Sequence, residues 1–131
     1  MRFFIVVLCV IAISCSPAPV ETVPVSQEFD LKFGEIVTIH GEPLSIKFTT
    51  VVDDSRCPIG VICIWEGNAQ IRLRLETPDV RATEVSVNTS IDPGHVLFAG
   101  YTIQLKMLSP YPVYAQAIDT AAYVARLIVT K

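Results

Sequence analysis

The 131-residue chain predicts an all-β domain: a single antiparallel β-sandwich of immunoglobulin-like type with about seven strands, a small β-barrel being the second choice. Three observations carry this. Several segments alternate apolar and polar residues with period two, the pattern of a strand with one face on a core and one in water. Turn signals separate the segments at short intervals, at Phe33-Gly34-Glu35, His40-Gly41-Glu42-Pro43, Thr77-Pro78-Asp79 and Asp92-Pro93-Gly94. No segment beyond residue 27 carries a convincing helical period, and the chain has no internal repeat.

Taken in order, "FDLKF" at 29–33 and "EIVTIH" at 35–40 are short strand candidates. "LSIKFTTVV" at 44–52 sets Leu44, Ile46 and Phe48 opposite Ser45, Lys47 and Thr49. "QIRLRLE" at 70–76 alternates strictly, with Ile71, Leu73 and Leu75 on one face and Gln70, Arg72, Arg74 and Glu76 on the other. "TEVSVNT" at 83–89 is weaker. "YTIQLKML" at 101–108 is expected to turn Tyr101, Ile103, Leu105 and Met107 inward, and "AYVARLIVT" at 122–130 to bury Tyr123, Ala125, Leu127 and Val129. "VYAQAIDTAA" at 113–122 reads as a loop or a single helical turn.

The N-terminus belongs to a different class of segment. One basic residue, Arg2, precedes eleven apolar residues from Phe3 to Ile13. A membrane-spanning helix needs roughly 20 such residues, so the run reads as a secretory signal over residues 1–14. Its end, Ala12-Ile13-Ser14-Cys15, resembles the lipobox of bacterial lipoproteins. That resemblance implies cleavage before Cys15, lipid on Cys15, and a protein held on the envelope through its acyl chains; an ordinary signal with an incidental Cys15 is the alternative. Ser16 stands where an aspartate favours inner-membrane retention, so the same resemblance implies the outer membrane, with the domain facing the periplasm. Residues 15–27 then form the lipidated cysteine and a Pro-rich tether, of which 16–27 would reach roughly 20 to 40 Å, and residues 28–131 form the domain.

The formal charge, −3 for the whole chain, becomes −4 once Arg2 leaves with the signal. A nucleic-acid partner would call for a basic stripe, and none is present; attachment to a membrane would rest on lipid and not on a polybasic surface. The positive mean hydropathy, +0.50, owes part of its value to the signal.

The four cysteines then sort themselves: Cys9 leaves with the signal, Cys15 takes the lipid, and Cys57 and Cys63 remain in an oxidising compartment. A Cys57–Cys63 disulfide is the economical assignment. Cys57-Pro58-Ile59-Gly60 suits a turn that closes it. The spacing is not that of a Cys-x-x-Cys redox pair. His40 and His95 lack a companion at metal-site spacing and read as turn or strand-end residues. Asp53, Asp54 and Glu66 are the alternative cation-binding or acid–base group, though adjacent carboxylates at a strand end are more often solvated or turn-capping. A continuous strand from Cys63, the preferred reading, would put Trp65, Gly67, Ala69 and Ile71 on the core side, with Gly67 leaving room for the indole; a tight hairpin turn at Gly67-Asn68, pairing Trp65 with Gln70 and turning the indole to the polar face, is the alternative.

"SRCPIGVICIWEGNA" resembles a motif of small bacterial lipoproteins and secreted proteins of unestablished function, carried by Ser55, Arg56, Cys57, Pro58, Cys63, Trp65, Gly67 and Ala69. The resemblance implies a secreted β domain and no activity. No nucleophile elbow, metalloprotease helix or phosphate loop is present in the sequence, so no catalytic residue, cofactor or metal is expected. The expected role is binding or structural, toward an envelope protein or glycan, with inhibition of a periplasmic hydrolase and an enzyme of unknown type as alternatives. Candidate binding residues are Asp53, Asp54, Arg56, Trp65 and Glu66 in this stretch, and Tyr111 and Tyr114 in "SPYPVYAQ" at 109–116. Tyrosines on a rigid loop suit recognition; the alternative, preferred here, has both rings lidding the end of the core. Asn88-Thr89-Ser90 matches a glycosylation acceptor by chance.

Overall fold

Strict alternation dictates the first pairing: Ile71, Leu73 and Leu75 are buried while Arg72, Arg74 and Glu76 are exposed, and the same rule buries Ile46 and Phe48 on the neighbouring strand. The computed structural model describes residues 17 and 19–131, so the signal segment and Cys15 lie outside the described residues. It contains strands β1 (Glu21–Val23), β2 (Glu28–Lys32), β3 (Ile36–Ile39), β4 (Ser45–Asp54), β5 (Ala69–Glu76), β6 (Thr83–Asn88), β7 (His95–Phe98), β8 (Tyr101–Ser109) and β9 (Val124–Thr130). A single 3-10 turn, Thr120–Ala122, precedes β9.

These strands form two sheets, ordered β1-β3-β4-β5-β6 and β2-β9-β8-β7. The sheets pack face to face without closing on each other, which makes the domain a β-sandwich and sets the barrel aside. Every pairing is antiparallel except that of β1 with β3. Leu31, Ile39, Phe48, Ile71, Leu73, Ile103 and Leu127 are among the side chains filling the layer between the sheets. Tyr123, Ala125, Leu127 and Val129 all face inward, as their alternation requires.

Four features depart from the expectation. Two strands were not anticipated: β7, and β1 inside the segment read as tether. β1 pairs in parallel with β3, and the His40 N–H donates to the Val23 carbonyl at 2.7 Å, so the sandwich takes in residues 21–23 of the segment read as tether. Three residues carry too little alternation to announce a strand. Met107 faces solvent and Leu108 the core, because the β8–β9 register shifts between Leu105 and Met107; a bulge moves every later side chain to the other face. Two further shifts on β4, after Phe48 and after Val51, break its alternation and leave Val52 exposed.

The fourth is Trp65. β5 begins at Ala69 and not near Cys63, so Trp65 lies on a loop and is 56 % exposed instead of buried beside the disulfide. Gly67, at φ +75°, is what interrupts the extended chain. One end of the sandwich, where β4, β6 and β8 finish and β5 and β9 begin, thus carries the segments 55–68, 89–94 and 110–123.

Candidate functional site

The β4–β5 ladder continues beyond the named strands. The Ser55 N–H donates to the Asn68 carbonyl and the Cys57 N–H to the Glu66 carbonyl, each at 2.7 Å. This brings the two limbs close at Gly67, where a Cβ would stand 2.0 Å from the Ser55 carbonyl oxygen. Glycine is required here twice over, for its positive φ and for the approach of the facing backbone; it does not make room for an indole. Cys57 and Cys63 are joined, with Cα atoms 6.0 Å apart. The turn inside the bridge runs one residue later than expected: the Val61 N–H donates to the Pro58 carbonyl at 3.3 Å, and Gly60 sits third with φ +97°. That placement answers to the positive φ which the third position of a type II turn demands.

The bridged loop is stitched to the 110–116 segment. The Ile59 N–H donates to the Pro112 carbonyl and the Tyr114 N–H to the Ile59 carbonyl, both at 2.9 Å, forming a parallel bridge between Ile59 and Val113. Two stretches far apart in sequence therefore make one double loop. Tyr111 and Tyr114 are exposed on it and do not lid the core, because the backbone pairing with Ile59 draws their segment outward.

Arg56 holds the base of this double loop and is only 7 % exposed. Its Nε and Nη2 donate to the two Asp54 carboxylate oxygens at 2.7 Å each, Nη1 to the Leu108 carbonyl at 2.5 Å, and Nη2 also to the Pro110 carbonyl at 3.0 Å. Its guanidinium lies over the Tyr111 ring, 5.1 Å from the centroid. The Tyr123 hydroxyl donates to Asp54 Oδ2 at 2.8 Å. Burial alone would raise the Asp54 carboxyl, but the Arg56 guanidinium and the Tyr123 hydroxyl outweigh it and hold Asp54 below its ordinary range. Burial, then the Asp54 carboxylate, pushes the Tyr123 hydroxyl up to about 12.

Arg56 and Asp54 are thus a structural clamp, both partners committed to each other and to the fold. Asp54 is neither solvated nor free to take a cation, and among the described residues no three His, Cys, Asp or Glu side chains gather as a metal site. Asp53 and Glu66 are exposed. A second network went unread in the sequence: Asn68 Nδ2 donates to Asn88 Oδ1 at 3.0 Å, and Asn68 Oδ1 accepts from the Ser90 N–H at 3.1 Å. Asn88, 2 % exposed and donating to the Pro93 carbonyl at 3.2 Å, is enclosed where a glycan would need it free. The only available signal was an Asn beside a Gly and another at a strand end, residues that commonly bond backbone locally.

What the double loop offers outward is apolar. Ile62 and Ile64, on either side of Cys63, are fully exposed, and Ile59, Trp65, Tyr111 and Tyr114 join them. Residues 57–65 carry no charge. Two small hollows flank the loop, of about 140 Å³ beside Arg56, Glu66, Lys106 and Tyr111 and about 240 Å³ beside Pro110, Val113, Ile118 and Ala122. Both fall below the roughly 300 to 1,000 Å³ usual for small-molecule pockets. The geometry suits contact with an extended apolar surface better than enclosure of a ligand. No protein-family model, curated protein or solved structure matches this chain.

Proposed function

We propose that this chain is a lipid-anchored envelope protein whose β-sandwich acts by contact and not by catalysis. Cys15 carries the acyl chains at the outer membrane, facing the periplasm, and the domain needs neither cofactor nor metal. The observation that supports contact is the apolar double loop: isoleucines at 62 and 64, with Trp65, stand in water on a scaffold fixed by a disulfide, a buried ion pair and a second loop. Large apolar side chains held rigidly in solvent are unfavourable for an isolated domain and mark interaction surfaces. Of the candidate binding residues, Trp65, Tyr111 and Tyr114 belong to this surface, while Asp54 and Arg56 support it from beneath.

The test takes two variants. Cys15→Ser should move the protein from the membrane fraction to the soluble periplasm; a variant that remains membrane-bound removes the anchor. Ile62→Asp together with Ile64→Asp should abolish crosslinks formed from position 59 in intact envelopes, and unchanged crosslinks remove the contact surface. Inhibition of a periplasmic hydrolase is the second reading, favoured by the projecting disulfide-closed loop, and would appear as a hydrolase captured by the same crosslinks.

A further inference from the structure

The apolar tip and the point where the chain enters the sandwich are related by the strand directions. β1 is parallel to β3 and β3 antiparallel to β4, with Glu21 level with Val37 and Val37 level with Ile46. Travelling from Val23 back to Glu21 therefore moves in the same direction as travelling up β4 from Ile46 to Asp54. The N-terminal end of β1 thus faces the end of the sandwich that bears the disulfide loop. From Ile46, β4 climbs eight more residues to Asp54, about 25 Å at the usual strand rise. The six residues Cys15 to Val20 span about 20 Å when extended. That reach falls a little short of the level of Asp54, and the loop tip stands beyond it, so only a domain tilted strongly toward its β1 edge sets Cys15 and the tip on one surface.

We infer that the double loop at residues 57–65 and 111–114 inserts into the lipid surface that holds Cys15, giving the domain a second membrane contact. This rests on the lipid anchor proposed above. The chemistry of the tip matches a bilayer interface: isoleucines favour hydrocarbon, and Trp and Tyr, apolar in body and polar at one atom, concentrate at headgroup level. No charged residue occurs between Cys57 and Trp65. Glu66 follows the tip directly and Asp53 stands lower, on β4, both exposed; with Lys106 beside Glu66 the two carboxylates outnumber the one exposed cation near the loop, which favours zwitterionic over anionic lipid. One short apolar loop is a weak membrane ligand by itself. Tethering raises its effective concentration at the surface, and two signals together hold where one is marginal. The contact would fix the orientation of the sandwich relative to the bilayer.

Trp65 is the chain's only tryptophan, and serves as the reporter. The full mature protein is placed in vesicles of zwitterionic phosphatidylcholine, with and without brominated acyl chains, and the mass of its N-terminal peptide is measured in the same preparation. The expected result is an acylated Cys15, a blue-shifted Trp65 emission, and quenching by the brominated lipid that weakens when anionic phosphatidylglycerol is added. The Ile62→Asp, Ile64→Asp double variant should remain acylated and lose the quenching. Acylated protein whose Trp65 emits as in water overturns the insertion and leaves the anchor standing, and so does quenching that the double variant retains. Trp65 shielded in native envelope fragments but not in pure lipid assigns the loop to a protein partner, which also overturns it. An unmodified Cys15 with quenched Trp65 on added vesicles upholds insertion and removes the anchor; an unmodified Cys15 with solvent-like emission removes both.

Discussion

Arg56 places four of its five N–H groups on acceptors within the protein, and its fifth contact, with the Tyr111 ring, is electrostatic. Truncating it would leave the Asp54 carboxylate nearly buried without its cation, so Arg56→Ala should lower stability by about 3 to 5 kcal/mol, read by urea unfolding. Arg56→Lys should recover only part of this, since an ammonium cannot serve two carboxylate oxygens and two carbonyls in one plane. Gly67→Ala, which strains φ and sets a methyl group against the Ser55 carbonyl, should cost roughly 2 to 4 kcal/mol. The same cluster gives the stability a pH profile. Tyr123, raised from 10.0 to about 12, favours the folded state fully below about pH 10 and loses that contribution as pH climbs toward 12. Asp54, lowered from 3.8, contributes above that value and loses its contribution as pH falls through its depressed pKa. The thermal midpoint should be level between about pH 5 and 9 and fall on either side. Tyr123→Phe should flatten the alkaline fall, and an unaltered alkaline limb would assign it elsewhere.

Among the elements, the disulfide loop shows where sequence reasoning holds and where it stops. The bridge was legible because the secretory reading of the N-terminus sets Cys9 and Cys15 aside and the spacing of Cys57 and Cys63 fits neither a Cys-x-x-Cys redox pair nor a metal site. The faces of β5 and β9 were legible because neither strand carries a bulge, and alternation then maps directly onto burial. Met107 was misplaced because a bulge is one unpaired residue with no composition of its own. Trp65 was misplaced because extended strand was continued through Gly67, whose positive φ answers to a facing backbone thirteen residues away from Asn68 in sequence, at Ser55. The pairing of Ile59 with Val113 was invisible for the same reason: main-chain hydrogen bonds between distant loops leave no residue signature. Replacing both bridge cysteines by alanine should cost about 2 kcal/mol through loop entropy. The sheets should survive and the 110–116 segment should gain amide exchange along with the bridged loop, since the two share backbone hydrogen bonds.

For the whole molecule, the fold class was legible from alternation and turns, while the edge strands β1 and β7 were not, each being too short to show a period. Dialysis of the protein against a strong chelator should leave its thermal midpoint unchanged; a fall reversed by one divalent ion would restore a cation to Asp53 and Glu66. Ile62→Asp with Ile64→Asp should leave the free energy of urea unfolding within about 0.5 kcal/mol of the parent, because both side chains are already fully in water. The parallel pairing of β1 with β3 has a mechanical side. Tension applied through residues 17–20 runs along the axis of β1, so the strand must slide past β3 and its hydrogen bonds share the strain together. A perpendicular pull would open them one after another. With the chain held by its N-terminus in a force experiment, the domain should rupture in shear, at higher force than when it is peeled from the C-terminal end of β1.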